Sequence, residues 1–357
     1  MTGFPTVLRS RVRGWSIAAL VLGVLLGGTA LAVAGTDKRS DEYGEMGASP
    51  IPAVAAVAGP TSFRVSSFNI LGYDHTAPGG TKHKSGYADG AVRMKWAIQL
   101  LKSRQVDVVG LQEFQPQQYD KWMKKASAQY DIFPGYLDTI GFLRNSIAWR
   151  KDKFRLVSTS WIKLPYFHGD VLRMPVVLLQ SIATGQQIYF MNFQNPADVR
   201  GNAQKWRLLG QRLQIELVNL LKTSNGLPVI WTGDMNAKGQ VFCRVTKQAA
   251  MVSASGGYRS DASCQPPSGM VVDWIFGSKV QFSNYVQERS RKVVRTTDHH
   301  LLFADATVQP VEPTIPVPPA TTTPTPTPTQ TVTISPTAPT SPPTSSPTSP
   351  PVTTFSR

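Results

Sequence analysis

Alternating apolar and polar residues mark several short strands in the middle of the chain, and helical patterns separate them. Val92–Lys102 has apolar residues at helical spacing. Trp206–Leu221 is the clearest amphipathic helix, and its apolar face is predicted to carry Trp206, Leu209, Leu213, Leu217 and Leu220. Strands are predicted at Phe63–Ile70, Val106–Leu111, Pro228–Thr232, Val271–Phe276, Gln281–Gln287 and Leu301–Thr307, with a hairpin of Pro175–Ile182 and Gln187–Phe193. This order predicts a mixed α/β domain.

The N-terminal segment does not have the pattern of a packed domain. Three arginines between positions 9 and 13 precede an uncharged stretch, 14–36, that contains Ala32-Val33-Ala34 near its end. Residues 1–36 therefore predict an export signal. It is either a cleaved signal peptide or an uncleaved transmembrane anchor, because the apolar run is long enough to span a bilayer. In both cases the rest of the chain is expected to be secreted or held at the cell surface.

Two further segments flank the predicted domain, which covers residues 62–309. Residues 37–61 change from acidic to Ala/Pro/Val-rich and are predicted to be a linker. Residues 310–357 are dominated by Pro, Thr and Ser and are predicted to be disordered, because they bury too little apolar area to offset chain entropy. The remaining length is enough for one domain with its own core.

The positive charge of the chain belongs almost entirely to this domain. Of the formal net charge of +15, residues 1–61 carry +1 and residues 310–357 carry zero, which leaves +14 for residues 62–309. Such a field attracts polyanions, including nucleic acid, phosphoinositides and anionic lipid, although a basic composition also serves solubility alone. The two cysteines, Cys243 and Cys264, are expected to pair outside the cytoplasm.

Carboxylate and amide side chains occur at or just after the ends of the predicted strands. They are Asn69, Glu113, Asp234, Asn236, Asp273 and Asp298, the last followed by His299. Oxygen ligands of this kind suit Mg²⁺ or Mn²⁺, whereas two cysteines and scattered histidines do not form a zinc site. Hydrolysis of a phosphate ester needs a cation, an activated water and a hydrogen-bonding clamp, and this set supplies each of them.

The order of these motifs resembles the endonuclease/exonuclease/phosphatase superfamily, in particular its secreted deoxyribonuclease-like branch. The resemblance runs from about Phe63 to Thr307 and rests on Phe68-Asn69, Leu111-Gln112-Glu113, Gly233-Asp234-Met235-Asn236, Asp273-Trp274-Ile275 and Thr297-Asp298-His299. It implies a four-layer α/β sandwich of two mixed sheets flanked by helices, with the active site at one edge.

The resemblance also implies roles for individual residues. The implied ligands of Mg²⁺ or Mn²⁺ are Asn69, Glu113 and Asp298. The implied catalytic residues are Asp234, Asn236, His299, Asp273, Arg173 and Asn145. In this scheme Asp234 activates the attacking water, and Asp273 holds the ring of His299 towards the phosphate. Cys243 and Cys264 lie where secreted deoxyribonucleases place a bridge.

One departure from the family concerns the general acid. Many members carry a histidine in an Asn-x-His pattern after the middle hairpin, and Gln194 occupies that position here. Trp149 stands where the deoxyribonuclease branch has the glutamate behind that histidine. Glutamine donates a hydrogen bond but no proton, and general acid catalysis is typically worth 10²–10⁴-fold. Without this histidine, the enzyme is expected to be slower, to be selective for certain leaving groups, or to be inactive.

Three functions remain open. The leading hypothesis is an exported, metal-dependent hydrolase of the nuclease-like phosphodiesterase type. It would be monomeric, would act on a polyanionic substrate such as nucleic acid, and would touch a membrane only through an uncleaved N-terminal segment. The first alternative is a phospholipid or inositol-phosphate phosphoesterase. The second is a catalytically weak polyanion-binding module, which Gln194 supports. His75, His83 and His168 are expected in surface loops rather than as ligands.

Overall fold

The computed structural model describes residues 59–79, 84–136 and 144–311. The predicted export signal, most of the predicted linker and nearly all of the predicted tail lie outside these residues, as does His83. Across the described ranges, no helix combines the length and the apolar character needed to cross a membrane.

Two mixed sheets of six strands each form the centre of the described chain. The strands of the first sheet are β1 Thr61–Asn69, β2 Val108–Gln112, β3 Tyr130–Phe133, β4 Asn145–Arg150, β13 Gln281–Glu288 and β14 Leu301–Val308. Those of the second are β5 Phe154–Pro165, β6 Val171–Ser181, β7 Gln187–Gln194, β8 Val229–Asp234, β9 Val252–Ser253 and β12 Asp273–Ser278. A small ribbon is formed by β10 Tyr258–Arg259 and β11 Cys264–Gln265.

The two sheets share a topological feature that creates a common edge. Their strand orders are β13-β14-β1-β2-β4-β3 and β5-β6-β7-β8-β12-β9. β1 pairs in parallel with β2, and β7 pairs in parallel with β8, whereas the other paired strands are antiparallel. The carboxyl ends of a parallel pair lie at the same end of the sheet, so each sheet presents two strand ends side by side.

Helices cover the outer faces of both sheets. They are α1 Gly90–Ser103, α2 Pro116–Lys125, α3 Gln204–Asn225, α4 Gly239–Gln248 and α5 Arg291–Thr296. One apolar cluster fills the space between the sheets, a second packs α1, α2 and α5 on the first sheet, and a third packs α3 and α4 on the second. This arrangement confirms the predicted four-layer α/β sandwich.

The main predicted strands and helices are present, but the buried face of α3 was predicted wrongly. The predicted leucine face is only partly buried, and the fully buried face instead carries Gln211, Gln214, Ile215, Val218 and Leu221. The inward position of Gln214 is possible because its Nε2 donates to Oδ1 of Asn195 at 2.8 Å. In addition, β12 begins at Asp273, two residues later than predicted.

The two sheets approach each other closely beside the common edge. A Cβ at Gly110 would lie 2.0 Å from Oγ1 of Thr232 and 2.5 Å from Oδ1 of Asn192, so only glycine fits there. Nearer the end of β2, two hydrogen bonds join the sheets. Nε2 of Gln112 donates to Oδ1 of Asn192 in β7 at 2.6 Å, and Nδ2 of Asn192 donates to the carbonyl of Leu111 at 2.7 Å. These buried hydrogen bonds fix the sheets relative to each other immediately below the strand ends.

The predicted disulfide is present. Cys243 of α4 is bonded to Cys264 of β11, with the two Cα atoms 5.8 Å apart. The bond lies within the segment that connects β8 to β12 and closes a loop whose constraint is worth about 3 kcal/mol in the chain-entropy model. It therefore restrains the connection between two strands that carry candidate catalytic residues.

Candidate active site

The polar residues that follow the parallel strands converge on one cavity of about 700 Å³ at the common edge. Six residues singled out from the sequence line it: Glu113, Gln194, Asp234, Asn236, Asp298 and His299. Asn69 and Asp273 are buried and hydrogen-bonded to members of this group. The convergence follows from topology, because Gln112 and Asp234 end the second strand of each parallel pair.

Glu113 directly follows β2 and has a left-handed backbone, with φ of 58°. This conformation costs a non-glycine residue about 1 kcal/mol or more. Its Oε1 accepts hydrogen bonds from Nδ2 of Asn69 at 3.0 Å and Nε2 of Gln194 at 3.1 Å. Its Oε2 accepts from the backbone N–H of Gly72 at 2.9 Å and lies 3.3 Å from Nε2 of His75. Burial alone would raise the pKa of Glu113, but these contacts lower it well below its usual range.

Asp234 ends β8 with its carboxylate almost fully buried. One oxygen accepts from the backbone N–H of Asn236 at 3.0 Å, and the other accepts from Nδ2 of Asn69 at 3.2 Å. Burial raises the pKa of Asp234 to about 7; Asp273 and Glu113 add to the rise, and His299 opposes it. A carboxylate with this pKa accepts a proton readily near neutral pH, as a general base must.

His299 forms a close pair with Asp273. Its Nδ1 lies 3.0 Å from both carboxylate oxygens of Asp273, and its Nε2 lies 3.9 Å from Oδ2 of Asp234. Burial would lower the pKa of His299, but the two carboxylates outweigh it and raise this pKa well above the usual value. The two carboxylates therefore favour the protonated ring, and Asp273 holds it in one orientation with Nε2 on the Asp234 side.

The loop that carries Asp298 and His299 is held by backbone contacts. Nη1 of Arg289 donates to both of their carbonyl oxygens, at 2.8 and 2.9 Å, and Oγ1 of Thr297 donates to the carbonyl of Asn69 at 2.8 Å. The carboxylate of Asp298 forms an ion pair with Lys84. Burial would raise the pKa of Asp298, whereas Lys84 and His299 lower it below its usual range.

The donor set at the cavity fits a hard divalent cation. Carboxylate oxygens of Glu113 and Asp234 lie within 4.8 Å of each other at the cavity. The ionised carboxylates of Glu113 and Asp298 are the ligands that Mg²⁺ and Mn²⁺ prefer. Asn69 directs its amide nitrogen to the carboxylates, while its Oδ1 accepts from the backbone N–H of Leu71 at 3.0 Å. In this arrangement Asn69 positions the carboxylates, and its role as a metal ligand stays a prediction.

The model of the Endonuclease/Exonuclease/phosphatase family matches residues 66–299. The chain belongs to this family. Its members are phosphoesterases and generally depend on a divalent metal, so the protein is a hydrolase of phosphate ester bonds. A comparison with curated proteins gave no match.

Solved structures show the same fold. The human Nocturnin catalytic domain is 17% identical, with a TM-score of 0.54 over 69% of this chain and 94% of its own. A mannosyl-6-phosphatase from Bacteroides thetaiotaomicron is 20% identical, with a TM-score of 0.51 over 68% and 99%. ANGEL2, a 2′,3′-cyclic phosphatase, is 15% identical, with a TM-score of 0.53 over 70% and 96%. At these identities the likeness concerns the fold alone.

Two residues that the family resemblance singled out do not line the cavity. Arg173 of β6 pairs with Lys163 of β5, and the preceding residues Val171 and Leu172 line the cavity instead. Asn145 is buried at the start of β4, where its Nδ2 donates to Sδ of Met174 at 2.9 Å. Neither residue is among those that face a substrate in the cavity.

Several cavity residues were not predicted from the sequence. They are His75, Lys84, Arg144, Tyr166 and Arg200. His75 contacts Glu113, and Lys84 forms an ion pair with Asp298. The guanidinium of Arg200 lies 5.1 Å from the ring centroid of Phe167, and Nη2 of Arg144 lies 3.6 Å from Oδ2 of Asp74. None of the five lies in a strand or an α-helix, so no periodic pattern marks them.

Arg93 of α1 is a further unpredicted residue, and it is fully buried. Its guanidinium makes six hydrogen bonds, and all but one of the acceptors are backbone carbonyls: Ile70, Leu71, Gly72, Ala88, Thr296 and the hydroxyl of Thr76. Arg93 thereby links two segments of the site. One is the loop of Gly72, whose N–H donates to Glu113, and the other is Thr296, which precedes the loop of residues 297–299. Burial lowers the pKa of Arg93, and nearby acids oppose this.

Proposed function

We propose that the protein is an exported phosphodiesterase that uses Mg²⁺ or Mn²⁺ to hydrolyse nucleic acid. One observation carries the proposal: the carboxylates of Glu113 and Asp234 and the ring of His299 lie within 4.8 Å of one another at a single cavity. The +14 charge of residues 62–309 supports a polyanionic substrate. Export is proposed from the N-terminal sequence alone.

The side chains around the cavity divide the chemistry among them. A divalent cation held by Glu113 and Asp298 would neutralise charge on the non-bridging phosphate oxygens. Asp234 accepts the proton of the attacking water, and Asn236, fixed by its own amide bond to the carbonyl of Asn195 at 2.8 Å, orients that water. The N–H at Nε2 of His299 donates to the phosphate and stabilises the charge that develops there.

The leaving group receives less assistance than the attacking water. Gln194 donates from Nε2 to Glu113, so it is engaged in holding that carboxylate and has no proton to transfer. The departing oxygen must then take its proton from solvent. We therefore expect the enzyme to cleave esters of acidic alcohols faster than esters of ordinary sugar hydroxyls.

An assay of the full-length protein on a substrate panel tests the proposal. The panel contains plasmid, RNA, bis(p-nitrophenyl) phosphate, sphingomyelin and inositol phosphates, each with Mg²⁺, Mn²⁺ or a chelator. Glu113→Ala should abolish cleavage of nucleic acid, while Glu216→Ala, an exposed glutamate on α3, should leave it unchanged. If wild type and Glu113→Ala behave alike on every substrate, the enzyme proposal fails and the binding-module alternative stands. Cleavage of lipid or inositol phosphate alone would refute the choice of nucleic acid.

A further inference from the structure

A second concave surface lies outside the catalytic cavity, between α1 and α5. This basic cleft has a volume of about 490 Å³ and is lined by Trp96, Gln99, Arg291, Lys292 and Arg295. Its three cations are exposed, and no acidic residue lines it. Among the described residues, none of the three cations has a carboxylate within ion-pair distance, so their charge is available to a ligand.

An aromatic ring lies among these cations. The guanidinium of Arg295 is 4.8 Å from the ring centroid of Trp96, and the indole is only partly buried. Cations that follow a phosphate backbone, combined with an aromatic face for bases, are the means by which proteins bind single-stranded nucleic acid without sequence preference. The catalytic reaction described above uses none of the cleft residues.

We propose that the basic cleft is a docking site for a single strand of nucleic acid whose scissile phosphate lies in the catalytic cavity. Arg291, Lys292 and Arg295 contact phosphates, and Trp96 stacks on a base. The docking role rests on the proposed function, because the bound strand is the substrate of the same enzyme. The binding step itself is independent of catalysis.

The position of the cleft along the chain suits this role. Arg295 precedes Asp298 by three residues, and three extended residues span at most about 10 Å. Between them, the carbonyl of Thr296 accepts a hydrogen bond from the buried Arg93. The cleft wall therefore leads directly into the loop that carries Asp298 and His299, and a strand of a few nucleotides can contact both.

An anionic bilayer is the other common polyanion that this charge would attract. Its headgroup surface is flat on the scale of two helices and touches ridges, whereas a single strand enters a cleft and reaches its walls. Trp96 and the cations line the walls of the cleft. The concave shape therefore favours a strand over a membrane.

Binding of a labelled oligonucleotide tests the proposal on the full-length protein. The probe is a thymidine oligonucleotide of about 16 nucleotides, followed by fluorescence anisotropy in chelator over a range of salt concentrations. The cleft variant combines Arg291→Gln, Lys292→Gln and Arg295→Gln. A matched control combines Lys151→Gln, Arg212→Gln and Lys247→Gln, which remove the same charge from exposed positions elsewhere.

Loss of three phosphate contacts should lower the slope of log affinity against log salt by about 2, since each contact on a single strand contributes about 0.7. The control should keep the wild-type slope. Trp96→Leu should weaken binding about tenfold and leave the slope unchanged. Equal losses in the cleft variant and the control would overturn the proposal. So would a cleft variant that keeps its oligonucleotide affinity but no longer binds phosphatidylserine vesicles, since that result identifies a membrane surface.

A small substrate separates this inference from the proposed function. Bis(p-nitrophenyl) phosphate is too short to reach the cleft, so the cleft variant should hydrolyse it at the wild-type rate while its KM for oligonucleotide rises. An equal loss on both substrates would mean that the substitutions disturb the fold, and would count against a docking role. If the wild type cleaves no diester, the proposed function fails, and the binding comparison still decides whether the cleft holds a strand. Should the triple variant fail to fold, Trp96→Leu and Lys292→Gln alone carry the same comparison.

Discussion

Replacement of Arg93 by methionine should destabilise the protein more than most single substitutions. The arginine is fully buried, and none of the described carboxylates forms an ion pair with it. Its guanidinium instead satisfies five backbone carbonyls and one hydroxyl. Methionine fills a similar volume but donates no hydrogen bond. The substitution therefore isolates the loss of hydrogen bonds from the loss of packing.

The expected magnitude follows from the acceptors left behind. A buried acceptor without a partner costs about 1–3 kcal/mol. The carbonyls of Leu71 and Gly72 keep hydrogen bonds from Gln118 and His75, so three orphaned carbonyls (Ile70, Ala88 and Thr296) cost about 3 kcal/mol at the lower limit. Removing the guanidinium also relieves the desolvation cost of a buried charge, which offsets part of this. We expect a net loss of about 3–5 kcal/mol in the free energy of unfolding. Arg93→Lys should lose less, because an ammonium keeps the charge and three of the donors.

Urea unfolding of wild type, Arg93→Met and Arg93→Lys measures these differences, provided the m-values agree. Activity should fall further than stability alone requires, since Arg93 joins the loop of Gly72, which donates to Glu113, to the segment before Asp298. A methionine variant within about 1 kcal/mol of wild type would refute the reasoning. It would mean that water satisfies the carbonyls as well as the guanidinium does.

Four further predictions concern the sheets and the site. Gly110→Ala places a methyl group against the facing sheet and should lower the free energy of unfolding by about 1–3 kcal/mol in urea unfolding; an unchanged value would contradict the close approach. Asp273→Asn should lower the pKa of His299, as followed by NMR of the imidazole protons. Because that pKa is raised in the folded state, the pair stabilises the fold below the unfolded value of about 6.5, and this contribution is lost as pH rises through the folded pKa. Mg²⁺ or Mn²⁺ at about 100 times its Kd should stabilise the wild type by about 2.7 kcal/mol, measured as a rise in Tm, and an equal rise in Glu113→Ala would argue against this carboxylate as a ligand. Gln194→His should raise the rate on poor leaving groups by up to about 10²-fold, and equal rates on every ester would show that proton delivery is not limiting.

The sequence predicted the parts of the site that lie at strand ends. Glu113 and Asp234 follow apolar runs whose strand character is evident, and in a sandwich the ends of the parallel strands meet at one edge. The motifs Leu111-Gln112-Glu113 and Gly233-Asp234-Met235-Asn236, in that order along the chain, were enough to single out these residues. Arg173 does not line the cavity, because a position within a strand can face either side and the motif alone does not say which. Its catalytic role stays a prediction.

The rest of the site depends on interactions that no local pattern reveals. Lys84 and Arg200 reach the cavity from irregular segments whose backbone is set by tertiary contacts. Arg93 resembles any solvated charge on an amphipathic helix, and only the surrounding carbonyls show that it is buried. The inward face of α3 was misjudged for a related reason, since Gln214 finds a partner in Asn195 and so occupies an interior position that the pattern assigned to leucine.

Gln194 is better understood as part of the metal-binding half of the site than as a defective acid. Its amide and that of Asn69 both donate to Oε1 of Glu113, at 3.1 and 3.0 Å, and the backbone of Gly72 supports the other oxygen. The amide of Gln194 donates to this carboxylate whatever the pH, whereas a histidine would donate only in one tautomer or when protonated. With glutamine at position 194, the site loses a proton donor for the leaving group. In return, the Glu113 carboxylate that binds the cation is held by a donor that does not titrate. An enzyme built in this way should show a rate that depends steeply on the acidity of the leaving alcohol and only weakly on titration at position 194.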